Sequence, residues 1–290
     1  MNILRSDKIA LIAVITTIFM YAFSTTGLFA QTQNSTAELK IITTQEIKLQ
    51  TDYSKTAKSE INNSSDAVKN AVESKKYLFA VYYKGAIDDN YKKLEANLSK
   101  FIKSSTAEIM IYSANISDTK ESEAVTKYGF DETAPFPIAM VIAPNGAVMG
   151  GINLDTPESD YSKAIVSPLA MDIMKTVQEG KIALIALQNK ETKFNDESKK
   201  AVDESLKDPK LGIHMNVIAA DPAKSENLEF LKQCRIEGKV TEATVVVIVP
   251  PASIAGVMKG NITKDSILSV LTSGGCGSGS CGSCGPGGCK

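Results

Sequence analysis

The sequence predicts an α/β protein made of two tandem copies of one domain, each a central mixed sheet flanked by helices. Three observations carry this. Thr126–Gly150 recurs without a gap as Lys232–Gly256, so that Pro144 falls on Pro250, Phe130 on Ile236 and the apolar run Ile138–Ala143 on Thr244–Val249, an offset of 106 residues. The register extends upstream: Ile109–Asn115 lies over Met215–Asp221 and, shifted by one residue, Val72–Tyr83 lies over Val177–Gln188. Within each copy, β-branched and aromatic runs of strand length alternate with stretches of helical period. Self-similarity at this spacing marks a duplicated domain.

The elements follow in order. Ser64, Ser65 or Asp66 can cap a helix whose apolar positions are Ala67, Val68, Ala71 and Val72. Tyr77–Tyr83 reads as a strand. Asp88–Lys103 reads as an amphipathic helix carrying Tyr91, Leu94, Leu98 and Ile102. Glu108–Ser113 is a strand, Ser117–Lys127 a helix and Ile138–Ala143 a strand. Pro144-Asn145-Gly146 turns the chain into a further strand, Ala147–Ile152. Asp155–Ser162 links the halves, and the order repeats. Ser167 caps a helix with Pro168 in its first turn and Gly180 as its stop. Then come strand Ile182–Gln188, helix Asp196–Leu206, strand Ile213–Ala219, helix Ser225–Gln233, strands Thr244–Val249 and Ser253–Met258, and a helix Lys264–Leu271 capped by Thr263.

Length and composition agree. The chain has 290 residues, room for two domains of ordinary size. Its hydrophobic content is 43% and it lacks Trp, which fits globular α/β domains. A formal net charge of −1 gives no field for nucleic acid.

The ends differ from the middle. Arg5 and Lys8 precede an apolar stretch, Ile9–Phe23, and Ala30 is followed by polar residues, the pattern of a secretory signal at 1–30. Either the segment is cleaved after Ala30, or Ile9–Ala30 is kept as a membrane anchor. Both place the remainder outside the cytoplasm, in a periplasmic, extracytoplasmic or secreted location. Residues 31–63 are rich in Thr, Ser, Lys and Asn and read as a polar linker in which Ile41, Ile42 and Ile47 are the residues able to dock on the first domain. The expected domains are then 64–160 and 161–273, with a tail at 274–290.

Helix-strand-helix-strand-helix, then a hairpin and a closing helix, resembles the thioredoxin-like fold, in two copies over about Ser64–Gly274. In that family a cis-proline precedes the third core strand; the resemblance implies this role for Pro137, and its loss in the second copy, where Ala243 stands. The family's oxidoreductases carry Cys-x-x-Cys after the first core strand. Here that loop reads Lys84-Gly85-Ala86-Ile87-Asp88-Asp89 in one copy and Asn189–Asn195 in the other, without cysteine, so dithiol exchange at the usual site is excluded. Asp88 and Asp89 read as helix-capping residues. By analogy the grooves near Pro137 and Ala243 are the surfaces for a protein or peptide partner in the cell envelope.

Other chemistry is sparse. The single histidine, His214, reads as a structural residue at a strand edge, and no phosphate-binding glycine loop or dinucleotide motif follows a strand. Cys234 reads as a small buried hydrophobe that could also pair with a tail cysteine. The remaining four cysteines, Cys276, Cys281, Cys284 and Cys289, lie in the tail and are separated only by Gly, Ser and Pro. Three readings stand for them. Four thiolates on a permissive backbone suit a soft metal, Cu(I) or Zn(II). Cys281 and Cys284 could form a redox pair, slow because no helix terminus or cation lowers a thiol pKa there. An oxidising compartment also permits internal disulfides or a cross-link to another molecule. The sequence therefore predicts a binding or scaffold protein, with a thiol-disulfide oxidoreductase or electron carrier as the enzymatic alternative.

Overall fold

The structure is a computed structural model that describes residues 61–131 and 133–272. The proposed signal segment, nearly all of the linker and the cysteine tail lie outside the described residues.

The first domain comprises α1 (Ser64–Glu73), β1 (Tyr77–Tyr83), α2 (Asp89–Ser104), β2 (Ile109–Asn115), α3 (Ser122–Tyr128), β3 (Ile138–Ile142) and β4 (Val148–Ile152). The second repeats it with α4 (Pro168–Gln178), β5 (Ile182–Leu187), α5 (Asn195–Leu206), β6 (Met215–Ala220), α6 (Leu228–Gln233), β7 (Thr244–Val249), β8 (Ser253–Lys259) and α7 (Lys264–Thr272). The sheets have matching orders, β2-β1-β3-β4 and β6-β5-β7-β8. In each, the first pair is parallel and the rest antiparallel. These are tandem thioredoxin-like folds, as expected. The repeat reaches fine detail: each closing hairpin carries an irregularity at the same place, between Val141 and Ile142 and between Val247 and Ile248.

The central strands are covered on both faces, so they read as continuous apolar runs rather than alternating ones. Leu78 to Tyr82 and Val245 to Val247 are fully buried. One apolar cluster passes from the α2 side of the first sheet, through Leu169, Ile173 and Met174 of α4, to Ile185 and Val246 of the second. The domains therefore share a core across α4. The stretch expected to link the halves takes part as well. A 3-10 turn, Glu158–Ala164, buries Tyr161 edge-on against Phe101 of α2, and Glu158 pairs with Lys100 at 2.8 Å. It stands 106 residues before α7 and fills the place beside α2 that α7 fills beside α5.

Local differences from expectation have identifiable causes. The cap of α1 is Asn63, whose Oδ1 accepts the Asp66 N–H at 2.9 Å, because Ser64 is buried and engaged elsewhere. The helix expected from Ser117 opens as a 3-10 turn, Thr119–Glu121, where the Asp118 side chain caps Lys120 N–H. Its counterpart opens the same way at Ser225–Asn227. The strand expected from Ile213 starts at Met215, since Gly212–His214 form a 3-10 turn. Ser167, Pro168, Gly180 and Thr263 act as expected. Among the described residues no helix is long and apolar enough to cross a membrane.

Candidate partner-docking site

The loops after β1 and β5 reach the same end of each domain as the segments entering β3 and β7, because Tyr82 pairs with Ile138 and Leu187 with Thr244. In the first domain the Phe136–Pro137 bond is cis, as the resemblance implied. Pro137 is buried while Pro135 before it is exposed. An aromatic floor lies beneath: Phe130 sits 4.7 Å from Tyr82 and 5.5 Å from Phe136, centroid to centroid. The loop after β1 is fixed by Asn115 at the end of β2, which accepts Gly85 N–H at 3.2 Å and donates to Gly85 O at 2.9 Å. Asp88 caps α2 through Tyr91 N–H at 2.8 Å, and Asp89 pairs with Lys92 at 3.2 Å. Between these anchors Ile87 projects, 51% exposed.

The second domain repeats the anchor and then departs. Asp221 stands at the repeat position of Asn115 and accepts from Asn189 Nδ2 at 2.8 Å and from Ala223 N–H at 2.9 Å. These donors, Ala223 first, hold its carboxyl below the usual range. The loop then folds on itself: Thr192 Oγ1 donates to the Asn189 carbonyl at 2.8 Å, and Asn195 Nδ2 donates to the same oxygen at 2.7 Å. Its tip is clamped to the segment entering β7. Lys193 N–H donates to Thr241 O at 3.0 Å, and Ala243 N–H donates to Lys193 O at 2.8 Å. An ion pair of 2.8 Å between Lys239 and Glu191 reinforces the clamp. Pro137 has no N–H to donate in this way. The cis-proline end of the first domain is thus free of the contact that closes its counterpart. The described cis bonds are at Pro137 and Pro251, and none is at Ala243.

Neither loop holds a cysteine. His214 ends the 3-10 turn before β6, exposed. Cys234 is buried, and burial pushes its thiol up to about 12, so it packs as a hydrophobe. Cys276, Cys281, Cys284 and Cys289 lie outside the described residues, and among the described residues no group of three or more His, Cys, Asp or Glu could hold a metal.

One polar cluster went unnoticed in the sequence. Glu121, 4% exposed, accepts from Ser64 N–H at 3.1 Å, from the Ser64 hydroxyl, and from Tyr112 OH at 2.8 Å. Desolvation, followed by the Glu121 contact, drives the Tyr112 phenol far above its ordinary value, and burial does the same to Tyr82 beside it. The cluster ties α1 to α3 and commits the Ser64 hydroxyl, so it reads as structural. Asn227 occupies the repeat position of Glu121 and is also buried, its Nδ2 donating to Asp221 O at 2.9 Å. A polar residue at both copies of one position was the available signal.

No family model matches the chain, and no curated protein matches it. Solved structures do. The first two thioredoxin domains of Saccharomyces cerevisiae Eps1p match at 12% identity and a TM-score of 0.25, over 76% of this chain and 99% of that one. The same region of Naumovozyma dairenensis Eps1p matches at 10% identity and 0.27, over 78% and 100%. The zinc-bound form of human ERp44 matches at 11% and 0.31, over 72% and 57%. Likeness at this level carries no functional inference, and the fold assignment rests on strand order and register.

Proposed function

We propose that the chain is an exported, non-catalytic binding or scaffold protein that docks an envelope protein or peptide at the cis-Pro137 end of its first domain. Its tail thiols, Cys276, Cys281, Cys284 and Cys289, ligate a soft metal, Cu(I) or Zn(II), or close into disulfides. The observation that carries the reading is the contrast between two equivalent loops, both without cysteine. The second is clamped to its own chain at Lys193, and the first leaves Ile87 and Pro135 exposed beside the partly exposed Phe130 and Phe136. A platform with one open end fits a binding role better than turnover.

A second reading, thiol-disulfide exchange or electron transfer through Cys281 and Cys284, is favoured by their spacing alone. One experiment separates the two: free-thiol count, metal content and disulfide-reductase activity on protein sent to the exported compartment, with and without Gly274–Lys290. Stoichiometric metal that vanishes with the tail, and no turnover, supports the binding reading. Turnover abolished by Cys281→Ser or Cys284→Ser establishes the alternative. Protein with neither metal nor free tail thiols has a disulfide tail.

A further inference from the structure

Every sheet has two edges, and an edge strand offers unpaired backbone groups. The β4 edge is capped at its first residue, where the Gln178 side chain bonds both Val148 N–H and Val148 O. The β6 edge of the second sheet is not paired with any described strand. Gln188 N–H donates to Ala220 O, which turns Ala220, Ile218 and Asn216 toward β5. Strand geometry therefore turns the N–H and C=O of Val217 and Ala219 outward. They line a cleft of about 310 Å³ whose other wall is α4, which contributes Asp172, Glu179 and Lys175. Ile213, 74% exposed, lies in the 3-10 turn two residues before the strand.

We propose that this edge pairs with β6 of a second copy of the chain. Three features favour that occupant. Met215 to Ala220 carries no ionisable side chain, so two copies meet without opposed like charges. A two-fold axis through Ile218 sets each Val217 opposite the other copy's Ala219, and each such pair exchanges its N–H and C=O, an isologous contact. The same axis carries the exposed Ile213 toward Ala223 of the second copy and covers it. The two four-stranded sheets then become one continuous sheet.

The test is sedimentation equilibrium of the full chain in reductant, so that tail disulfides cannot mimic association. It is run on wild type and on Ala219→Lys, which places a charge on an exposed position of the edge. Amide exchange at Val217 and Ala219 is followed against protein concentration. The expected result is a wild-type dimer, about tenfold or more weaker association in the variant with unchanged cooperative unfolding, and exchange at both amides that slows as concentration rises. A monomeric wild type, equal association of both proteins, or protection of these amides that ignores concentration overturns the proposal. The last outcome means that some other strand covers the edge. Docking at Pro137 is measured separately, and neither result decides the other.

Discussion

Gln178 closes the edge of a strand that belongs to the other domain. Its Oε1 accepts Val148 N–H at 2.9 Å and its Nε2 donates to Val148 O at 2.6 Å, so one side-chain amide stands in for a neighbouring strand. Tyr77 does the reverse: from the first domain its hydroxyl donates to Val166 O and accepts Val166 N–H, both at 3.1 Å. Together with α4 in the shared core, these crossed contacts make the two copies one packed unit.

Gln178→Leu keeps the volume and removes both bonds, leaving two half-buried backbone groups without a partner. The expected loss is about 1–3 kcal/mol, read from urea denaturation, with faster exchange of the Val148 amide. An unchanged amide would mean that another group takes the place of Gln178.

Glu121 anchors a different joint. Glu121→Leu strands Ser64 N–H and Tyr112 OH in a buried site, and about 2–4 kcal/mol of stability should be lost. Glu121→Gln keeps an acceptor and should lose clearly less. Equal losses from the two variants would show that packing, not hydrogen bonding, is what Glu121 supplies.

Much of this architecture was legible because it is local. Apolar spacing and turn residues place nearly every strand and helix, whereas the cis bond at Pro137 was foreseen only through the resemblance to the thioredoxin-like fold and the one at Pro251 was not foreseen. What was missed joins distant segments. Ser64, Ser65 or Asp66 read as the cap of α1, yet Glu121, 57 residues from Ser64, engages Ser64, and Asn63 supplies the cap. Nothing around Lys193 signals the clamp to Thr241 and Ala243, because both partners are backbone groups and any residue but proline supplies them. Whether the loop at each end is clamped or open is therefore written in tertiary contacts, not in a motif.

Cys234 makes the fold sensitive to alkali. Its buried thiol is held up to about 12, above the ordinary value near 9. The folded chain keeps a proton that the unfolded chain releases, so this contribution is intact below pH 9 and is lost as pH rises toward 12. The slope is about 1.4 kcal/mol per pH unit. Urea midpoints between pH 8 and 10.5 should fall more steeply for wild type than for Cys234→Val. Parallel slopes would place the thiol in contact with water.

Gly256 shows how closely α7 is seated. A Cβ there would lie 2.8 Å and 3.0 Å from the two γ-methyls of Val270. Val270 is β-branched on a helix and has essentially one rotamer, so it cannot turn aside. Gly256→Ala should therefore cost about 1–3 kcal/mol through overpacking. Val270→Ala empties that space, and the double variant should be more stable than the sum of the single losses allows, by about 1 kcal/mol or more in a double-mutant cycle. At Gly150, the same place in the first domain, nothing lies within 4 Å of a Cβ. Gly150→Ala should be unaffected by any change in a neighbour, and its cost should come from its φ of +144 alone. Coupling at Gly256 with none at Gly150 would show that two positions alike in sequence answer to different forces, because α7 presses on one glycine and the 3-10 turn at Glu158–Ala164 leaves the other open.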